Sequence, residues 1–476
     1  MIKQLSQLFK PFPHVPQIPL QDKQIRDIPE PDMVVIPLEY PGQVLYRPLI
    51  KEGDHVRKHQ IIGRSKLGNC VHASISGNVD KIISIWTNRG FNVPAVMIKR
   101  NGEPPLELEE VFEQYGVSSS GGSRQDKLMA MGSISPWAQP GRFHREEDLD
   151  KYPPVKQIVI KGKNEEPSIF ILELLMQQYP DLINKGIRRM RELAPNAECW
   201  LTVPEYLSEW AEEEISEQVN IVPVSDEYKD RIERNLVPKI VGQDIPNIAS
   251  YREYGVAVIS VEYLLNLVGA LDGMSPFIYK YATIAGHDVT TPVTVKFPIG
   301  TTIRWILESL ELSRPDGGRV LVGGPMKGIA QYNDLTPLTK SSHGVFLVSP
   351  NELPLEINMT CFNCGQCTRA CPSNLEVHLL GRYAEYDMFD EAQEFHPEAC
   401  NECGLCGYVC PAHRPLVQLI QMCNQYGGVI DEQYQPQAEC RVKSPLERWE
   451  LDLQDTAVLA DSADSGDSGE PVSVRS

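Results

Sequence analysis

Residues 361–372 read CFNCGQCTRACP, and residues 400–411 read CNECGLCGYVCP. Both segments follow one pattern: three cysteines recur at three-residue steps, and a fourth follows four residues later, directly before a proline. These two segments contain eight of the chain's 12 cysteines. Thiols grouped this densely, in a chain whose first residues predict no export signal, indicate metal ligands in a reducing compartment rather than disulfides.

The spacing C-x2-C-x2-C-x3-C-P predicts two [4Fe-4S] clusters. Three thiolates at three-residue steps can wrap a loop around three corners of a cubane, and with two such motifs the fourth ligand comes from the other motif. The first predicted cluster is therefore held by Cys361, Cys364, Cys367 and Cys410. The second is held by Cys371, Cys400, Cys403 and Cys406.

Structural zinc is the alternative to these clusters. Zinc sites usually use paired C-x2-C units, whereas here a third and a fourth cysteine follow each pair at fixed steps, twice. Two clusters with exchanged fourth ligands must lie close together. The predicted role of this segment is therefore electron transfer, and no catalytic residue is predicted.

Length and charge exclude several classes of function. The chain has 476 residues, with 45 Lys and Arg against 64 Asp and Glu, so its formal net charge is 45 − 64 = −19. At about 100–200 residues per domain, this length predicts about three domains. An acidic surplus repels phosphate backbones and anionic lipids, which argues against nucleic-acid binding and against attachment to membranes by charge.

The sequence predicts neither a secretory signal nor a membrane span. Residues 1–18 are broken by three prolines and have no continuous apolar core. The apolar stretch from Gly255 to Leu271 is shorter than the roughly 20 residues that a spanning helix needs. We therefore expect a cytoplasmic protein that reaches a membrane only through partners.

The first half of the chain predicts a small β module followed by an α/β layer. Short apolar runs separated by turns fill residues 33–100, with a tight hairpin expected at Gly77-Asn78. The phrases LIKEGDHVRKHQIIGR (49–64) and HASISGNVDKI (72–82) resemble the barrel-sandwich hairpins of lipoyl and biotinyl carrier domains. From residue 156, apolar strands alternate with helices of about ten residues, which favours a largely parallel sheet.

The sequence thus predicts an α/β multidomain fold. We expect an N-terminal extension (1–29), a β barrel-sandwich module (30–105), a Rossmann-like α/β layer (106–275), a β-grasp, SLBB-like module (276–350), a helical dicluster ferredoxin domain (351–435) and an acidic disordered tail (436–476). A strand, strand, helix, strand order suggests the β-grasp module. The Ser-, Gly- and Asp-rich composition suggests the disordered tail.

In this order, the modules resemble the RnfC family, a component of Rnf-type ion-translocating electron transport complexes. Besides the cysteine segments, the phrases that carry the resemblance are VHASISGNVDKI (71–82), KGKNEEP (161–167), VKFPIGTTIRWIL (295–307) and VGGPMKG (322–328). The resemblance implies a protein that takes electrons from NADH through a flavin, FMN, and passes them to iron–sulfur clusters. It also implies membrane-embedded and soluble partner subunits at the inner face of the cell membrane.

Two phrases depart from the family pattern for binding flavin and NADH. The family's glycine loop, G-x-G-G-x-G-F-P, corresponds to MAMGSISPWAQP (129–140), in which only Gly132 remains. The family phrase N-G-x-E-C-E-P corresponds to residues 161–167, which keep Gly162 and Glu166. These three residues are the candidates for a flavin or NADH site. The bulk of Ile134, Pro136 and Trp137 argues against such a site.

Three functions follow from the sequence. The leading hypothesis is a peripheral redox relay that carries electrons through two [4Fe-4S] clusters to or from a membrane-bound Rnf-like complex. A soluble electron donor or acceptor protein would be a further partner. The alternatives are an FMN-containing NADH dehydrogenase subunit that feeds those clusters and a cobalamin-reductase-like flavoprotein.

Overall fold

The computed structural model describes residues 22–40, 44–66, 68–86, 92–117, 123–133, 152–287, 289–352 and 360–427, together with residues 15 and 18. The segment with Ile134, Pro136 and Trp137 lies outside the described residues, as does the predicted tail (436–476).

The described residues form strands and mostly short helices. The strands are β1 (Ile25–Asp27), β2 (Met33–Pro37), β3 (Glu39–Tyr40), β4 (Val44–Leu45), β5 (Arg47–Pro48), β6 (His55–Val56), β7 (Ile61–Arg64), β8 (Cys70–His72), β9 (Gly77–Trp86), β10 (Asn92–Arg100), β11 (Gln157–Lys161), β12 (Glu198–Pro204), β13 (Asn220–Val224), β14 (Val256–Ser260), β15 (Tyr279–Gly286), β16 (Val293–Pro298), β17 (Arg319–Val322), β18 (Ile329–Ala330) and β19 (Gly344–Val348). The helices are α1 (Leu108–Tyr115), α2 (Arg124–Ala130), α3 (Ile171–Gln178), α4 (Pro180–Leu193), α5 (Ser208–Glu214), α6 (Tyr228–Arg231), α7 (Glu233–Val241), α8 (Val261–Leu271), α9 (Ile303–Ser309), α10 (Gln366–Arg369), α11 (Val377–Glu385), α12 (Phe389–Ala392), α13 (Leu405–Tyr408) and α14 (Leu416–Tyr426).

Strands β2 to β10 form a β sandwich. One sheet has the order β2-β10-β9-β6, and a second has the order β5-β7-β8. Val34, Ile62 and Ile98 lie in their common core. The hairpin predicted at Gly77-Asn78 is wrong, because β9 begins at Gly77. A Cβ atom at Gly77 would lie 2.1 Å from the Lys99 carbonyl oxygen, so this glycine permits close strand pairing instead of a turn.

An all-parallel sheet follows, with strand order β13-β12-β11-β14. The β-branched run in β11 is buried on both faces: Ile158 and Ile160 pack in one core and Val159 in another. Both faces are apolar because helices cover them. The first strand of the layer thus lies centrally, and its carboxyl end adjoins that of β14 at Lys161 and Ser260.

A mixed six-stranded sheet has the order β1-β16-β15-β19-β17-β18. Its core includes Val295, Phe297 and Ile306 of α9. Strand β1 pairs in parallel with β16, joining Ile25 to Thr294. The sequence did not predict this strand, which comes from the N-terminal extension.

The cysteine segments lie among α10 to α14. Helices α11 and α14 pack together through Leu380, Leu416 and Ile420. Among the described helices, none has the length and apolarity that a bilayer crossing requires.

Candidate metal centre

Eight cysteine side chains line two cavities in the helical region. Thiol cavity 1 is lined by Cys361, Cys364, Cys367 and Cys410. Thiol cavity 2 is lined by Cys371, Cys400, Cys403 and Cys406. The two cavities contain about 380 and 300 Å³ of space between atoms, respectively. Each brings together the four cysteines that the spacing groups, and their role as ligands stays a prediction.

Two glycines shape the ligand loops. Helix α10 carries Cys367 and helix α13 carries Cys406, and each helix is preceded by a glycine, Gly365 or Gly404. These glycines have φ values of 71° and 80°, in the left-handed region that side chains rarely adopt. The chain therefore turns sharply between the second and third cysteine of each motif.

Backbone N–H groups point at the cysteine sulfurs. Three of them donate to sulfur at 3.4–3.5 Å: Asn363 to Cys361, Glu402 to Cys400, and Leu375 to Cys371. Hydrogen bonds to the charged form of a group stabilise that form. The loops thus favour the thiolates that iron requires.

Burial acts in the opposite direction. It raises the pKa of the Cys403 thiol to about 12 and also raises the pKa values of Cys367, Cys371 and Cys406. Metal binding must therefore release protons from these thiols.

Buried polar atoms without partners mark both cavities. Ser373 Oγ and Asn401 Nδ2 belong to residues that line thiol cavity 2, and Arg414, with Nε, Nη1 and Nη2, lines thiol cavity 1. None of these atoms has a hydrogen-bond partner in the part of the chain that the structure describes. The sulfurs of an iron–sulfur cluster would supply acceptors there. The donor set and these orphaned groups therefore fit a [4Fe-4S] cluster in each cavity.

A single metal ion is a separate question. Within the described ranges, no three His, Cys, Asp or Glu side chains are grouped so that they could hold one ion.

Thiol cavity 2 faces the rest of the molecule. The Tyr228 hydroxyl donates to the Cys403 carbonyl oxygen at 2.7 Å, and Tyr228, Ile232 and Leu405 share one apolar cluster. A Cβ at Gly404 would lie 2.3 Å from the Met326 carbonyl oxygen. In thiol cavity 1, by contrast, the Phe362 ring is 64% exposed.

A larger cavity lies at the carboxyl ends of β11 and β14. This strand-end cavity contains about 1270 Å³ of space, part of it open to solvent, and Lys161, Lys163, Glu166, Glu262 and Gly324 are among its lining residues. Its cations are engaged by carboxylates. The ion pairs are Lys161–Glu233, Lys163–Asp226 at 2.7 Å and Lys327–Glu165 at 2.5 Å.

Of the three candidate flavin residues, Glu166 lines the strand-end cavity. Burial raises the pKa of Glu166 to about 7, and its Oε2 accepts from the Met326 N–H at 3.0 Å. Gly162 instead packs against β12, because a Cβ there would lie 2.4 Å from the Thr202 carbonyl oxygen. Gly132 adjoins β8, and its carbonyl oxygen accepts from Lys340 Nζ at 3.0 Å.

Sequence reasoning missed Arg414 and Tyr228. A comparison of the two cysteine segments could have found the first, because Arg414 and Leu375 stand at the same step of the repeat. No local pattern marks Tyr228, whose contact with Cys403 spans 175 residues.

Two family models match the chain. The RnfC barrel sandwich hybrid domain matches residues 15–103, and a 4Fe-4S dicluster domain matches residues 354–411.

Curated relatives are similar over most of the chain. The C component of the proton-translocating ferredoxin:NAD(+) oxidoreductase complex of Clostridium ljungdahlii is 24% identical, covering 78% of this chain and 83% of the relative. The C component of the Na(+)-translocating complex of the same kind from Acetobacterium woodii is 23% identical, covering 76% and 84%. The C component of the ion-translocating oxidoreductase complex of Rhodobacter capsulatus is 26% identical, covering 74% and 70%.

Among solved structures, an NAD+-reducing [NiFe]-hydrogenase in the H2-reduced state matches with a TM-score of 0.42 and 16% identity, covering 78% of this chain and 72% of that one. A likeness at this level supports no argument about fold or function.

Proposed function

We propose that this chain, an RnfC-like protein, is an electron-transfer subunit of an Rnf-type ion-translocating complex and relays electrons through two [4Fe-4S] clusters. The observation that carries the proposal is the grouping of eight thiols into two cavities of four, each with buried, unpartnered polar groups. The dicluster match and the relatives, which are C components of ion-translocating oxidoreductase complexes, support the same function.

In this proposal, the chain holds and insulates the redox groups. A bound [4Fe-4S] cluster supplies one-electron transfer. Cys361, Cys364, Cys367 and Cys410 would hold the first, and Cys371, Cys400, Cys403 and Cys406 the second. Apolar side chains such as Leu375 and Ile420 limit water in thiol cavity 2. Backbone N–H groups at the cysteine sulfurs stabilise the ligands' charge.

The finer assignments belong to the same proposal. The parallel sheet is taken as a degenerate Rossmann-like layer, and the mixed sheet as an SLBB-like β-grasp module, within the domain limits given for the sequence. The partners are membrane-embedded and soluble subunits of the complex. They would hold the chain at the cytoplasmic face of the membrane.

A second candidate is an FMN-containing NADH dehydrogenase subunit. The strand-end cavity favours it, because ligands of open α/β sheets bind outside the carboxyl ends of strands where the strand order reverses. Against it, carboxylates of this chain already pair with Lys161, Lys163 and Lys327 there. A cobalamin-reductase-like flavoprotein would need the same flavin site.

A cofactor inventory tests the proposal. The full chain, reconstituted anaerobically, is expected to bind about eight iron and eight sulfide, since each cubane holds four of each. Flavin is measured in the same sample after incubation with FMN. Stoichiometric FMN together with bleaching of the clusters by NADH would establish the dehydrogenase instead.

A further inference from the structure

Arg414 is a buried charged side chain in the wall of thiol cavity 1. Its side chain is 2% exposed, and the Glu385 carboxylate lies against its Nη2. Even so, none of its three side-chain nitrogens has an acceptor in hydrogen-bond geometry among the described residues. A buried guanidinium in this state is costly unless other acceptors complete its hydrogen bonding. In a loaded cavity, those acceptors are the sulfurs at the iron.

The two cysteine motifs differ at this position. Arg414 stands four residues after Cys410, and Leu375 stands four residues after Cys371. Leu375 contributes an apolar side chain to thiol cavity 2. The unpartnered hydroxyl and amide of that cavity are neutral. Of two otherwise similar cavities, one therefore has a buried positive charge in its wall and the other does not.

Charges outside the walls act in the same direction. Beside Cys400 a cavity of about 640 Å³ is lined by four carboxylates and two cations: Glu165, Glu233, Glu398 and Glu402, with Arg234 and Lys327. Near thiol cavity 1, two further arginines point at the ligand loop. Arg369 Nη2 donates to the Cys364 carbonyl oxygen and Arg382 Nη2 to Asn363 Oδ1, both at 3.0 Å.

From this asymmetry we infer that Arg414 is a positioning residue that raises the reduction potential in thiol cavity 1 above that in thiol cavity 2. The inference rests on the proposed function. Reduction adds one negative charge to the iron–sulfur group, and a nearby positive charge in a medium of low dielectric constant stabilises it. Hydrogen bonds to the sulfurs have the same effect. Glu385 offsets this charge only in part, because its side chain is 34% exposed and screened by water.

The direction of transfer follows. One electron leaves thiol cavity 2 and arrives in thiol cavity 1, and no bond forms or breaks. Thiol cavity 2 faces the parallel and mixed sheets through Tyr228 and Met326. Thiol cavity 1 ends at the exposed Phe362 ring. Electrons therefore enter from the body of the protein and leave beside Phe362 to a redox protein of the complex.

The test is a redox titration of the full chain after anaerobic reconstitution, followed by electron paramagnetic resonance with dithionite as reductant. Iron and sulfide are counted first. The signal of thiol cavity 1 is identified by its loss in Cys364→Ser. The variants are Arg414→Leu, which copies the sister motif, and Arg414→Lys, which keeps the charge. Arg382→Leu is the control, since it removes an exposed arginine of the same loop.

In Arg414→Leu, the ratio of reduced to oxidised cluster in thiol cavity 1 is expected to fall at least tenfold at a fixed potential. That is about 59 mV for a one-electron couple. The signal of thiol cavity 2 should stay in place. Arg414→Lys should recover most of the shift, and Arg382→Leu should change little because exposed charges are screened. A purely structural role of Arg414 would change iron content but not the potential of one cluster alone.

Several results would overturn the inference. One is a wild-type chain with eight iron in which thiol cavity 1 has the lower potential, and another is an Arg414→Leu chain with eight iron and unchanged potentials. If Arg414→Leu loses iron, Arg414→Gln, which keeps N–H donors without the charge, takes its place under the same criteria. A wild-type chain without the clusters would instead refute the proposed function itself.

Discussion

Single cysteines separate ligand from packing roles within one module. Cys364→Ser is expected to lower the iron content by about four of eight atoms, because a cubane with three thiolates is retained poorly. Cys423 is the matched control: it is fully buried in α14 and its thiol donates weakly to the Leu380 carbonyl oxygen. Cys423→Ser should keep all the iron. Iron and sulfide analysis of both reconstituted variants checks this prediction.

The outcome also bears on the zinc alternative. A chain that binds zinc tightly, holds no sulfide and keeps its metal in Cys364→Ser would contradict the cluster assignment at this position.

Glu166 predicts a pH dependence of stability. Burial raises its pKa from 4.5 to about 7, so between these values the folded chain holds a proton that the unfolded chain has released. The stability from this group is complete below about pH 4.5 and is lost as the pH rises through 7. Glu166→Gln should therefore stabilise the protein at pH 8 by about 2–3 kcal/mol, since one pKa unit is worth about 1.4 kcal/mol.

Thermal melts of both proteins from pH 4.5 to pH 8 measure this effect. The melting temperatures should coincide at the acid end and separate as the pH rises. Glu165→Gln is the control with the opposite sign, because it removes the carboxylate that pairs with Lys327 at 2.5 Å. Parallel curves for wild type and Glu166→Gln would contradict the prediction.

At the scale of elements, the loop before α13 fixes the cysteine region to the mixed sheet. Gly404 and Gly365 occupy the same step of their motifs and both have positive φ. A Cβ at Gly404 would lie 2.3 Å from the Met326 backbone, whereas a Cβ at Gly365 would meet only the end of the Arg369 side chain, at 3.0 Å. Both alanine variants share a conformational cost of about 1 kcal/mol. Only Gly404→Ala should also loosen the docking.

Limited proteolysis of the two variants checks this difference. Gly404→Ala should be cleaved faster between the mixed sheet and the cysteine region than Gly365→Ala, with both compared against wild type. Equal cleavage rates would show that the contact with Met326 does not hold the region in place.

Elements with strong local patterns could be predicted from the sequence. Strand β11 and helices α4 and α8 have the residue types and periods that favour them. Strand β1 could not be predicted, because its three residues are ordered by pairing with β16, about 270 residues later. Gly77 was taken for a turn residue because Gly-Asn is typical of hairpins. The close approach of Lys99 that explains it is visible only in the folded sheet.

For the whole molecule, the sequence indicated the chemistry of the site better than its surroundings. The cysteine groups follow from fixed local spacing, since each loop wraps one cluster. The ion pairs of the strand-end cavity join residues far apart in the chain, such as Lys161 with Glu233 and Lys327 with Glu165. No local pattern encodes such pairs. They depend on how the parallel and mixed sheets meet, and this is also why Arg414 and Tyr228 went unnoticed.

The net charge of −19 predicts how the whole chain meets a membrane. Repulsion from anionic lipid should keep the purified protein from floating with vesicles of phosphatidylglycerol and phosphatidylcholine at low salt, where such forces are strongest. Membranes that contain the partner subunits should retain it, because protein contacts replace attraction to lipid. Flotation assays with both membranes, each at low and high salt, measure the difference. Binding to the anionic vesicles that salt abolishes would mean that a local basic face, rather than the partners, attaches the chain.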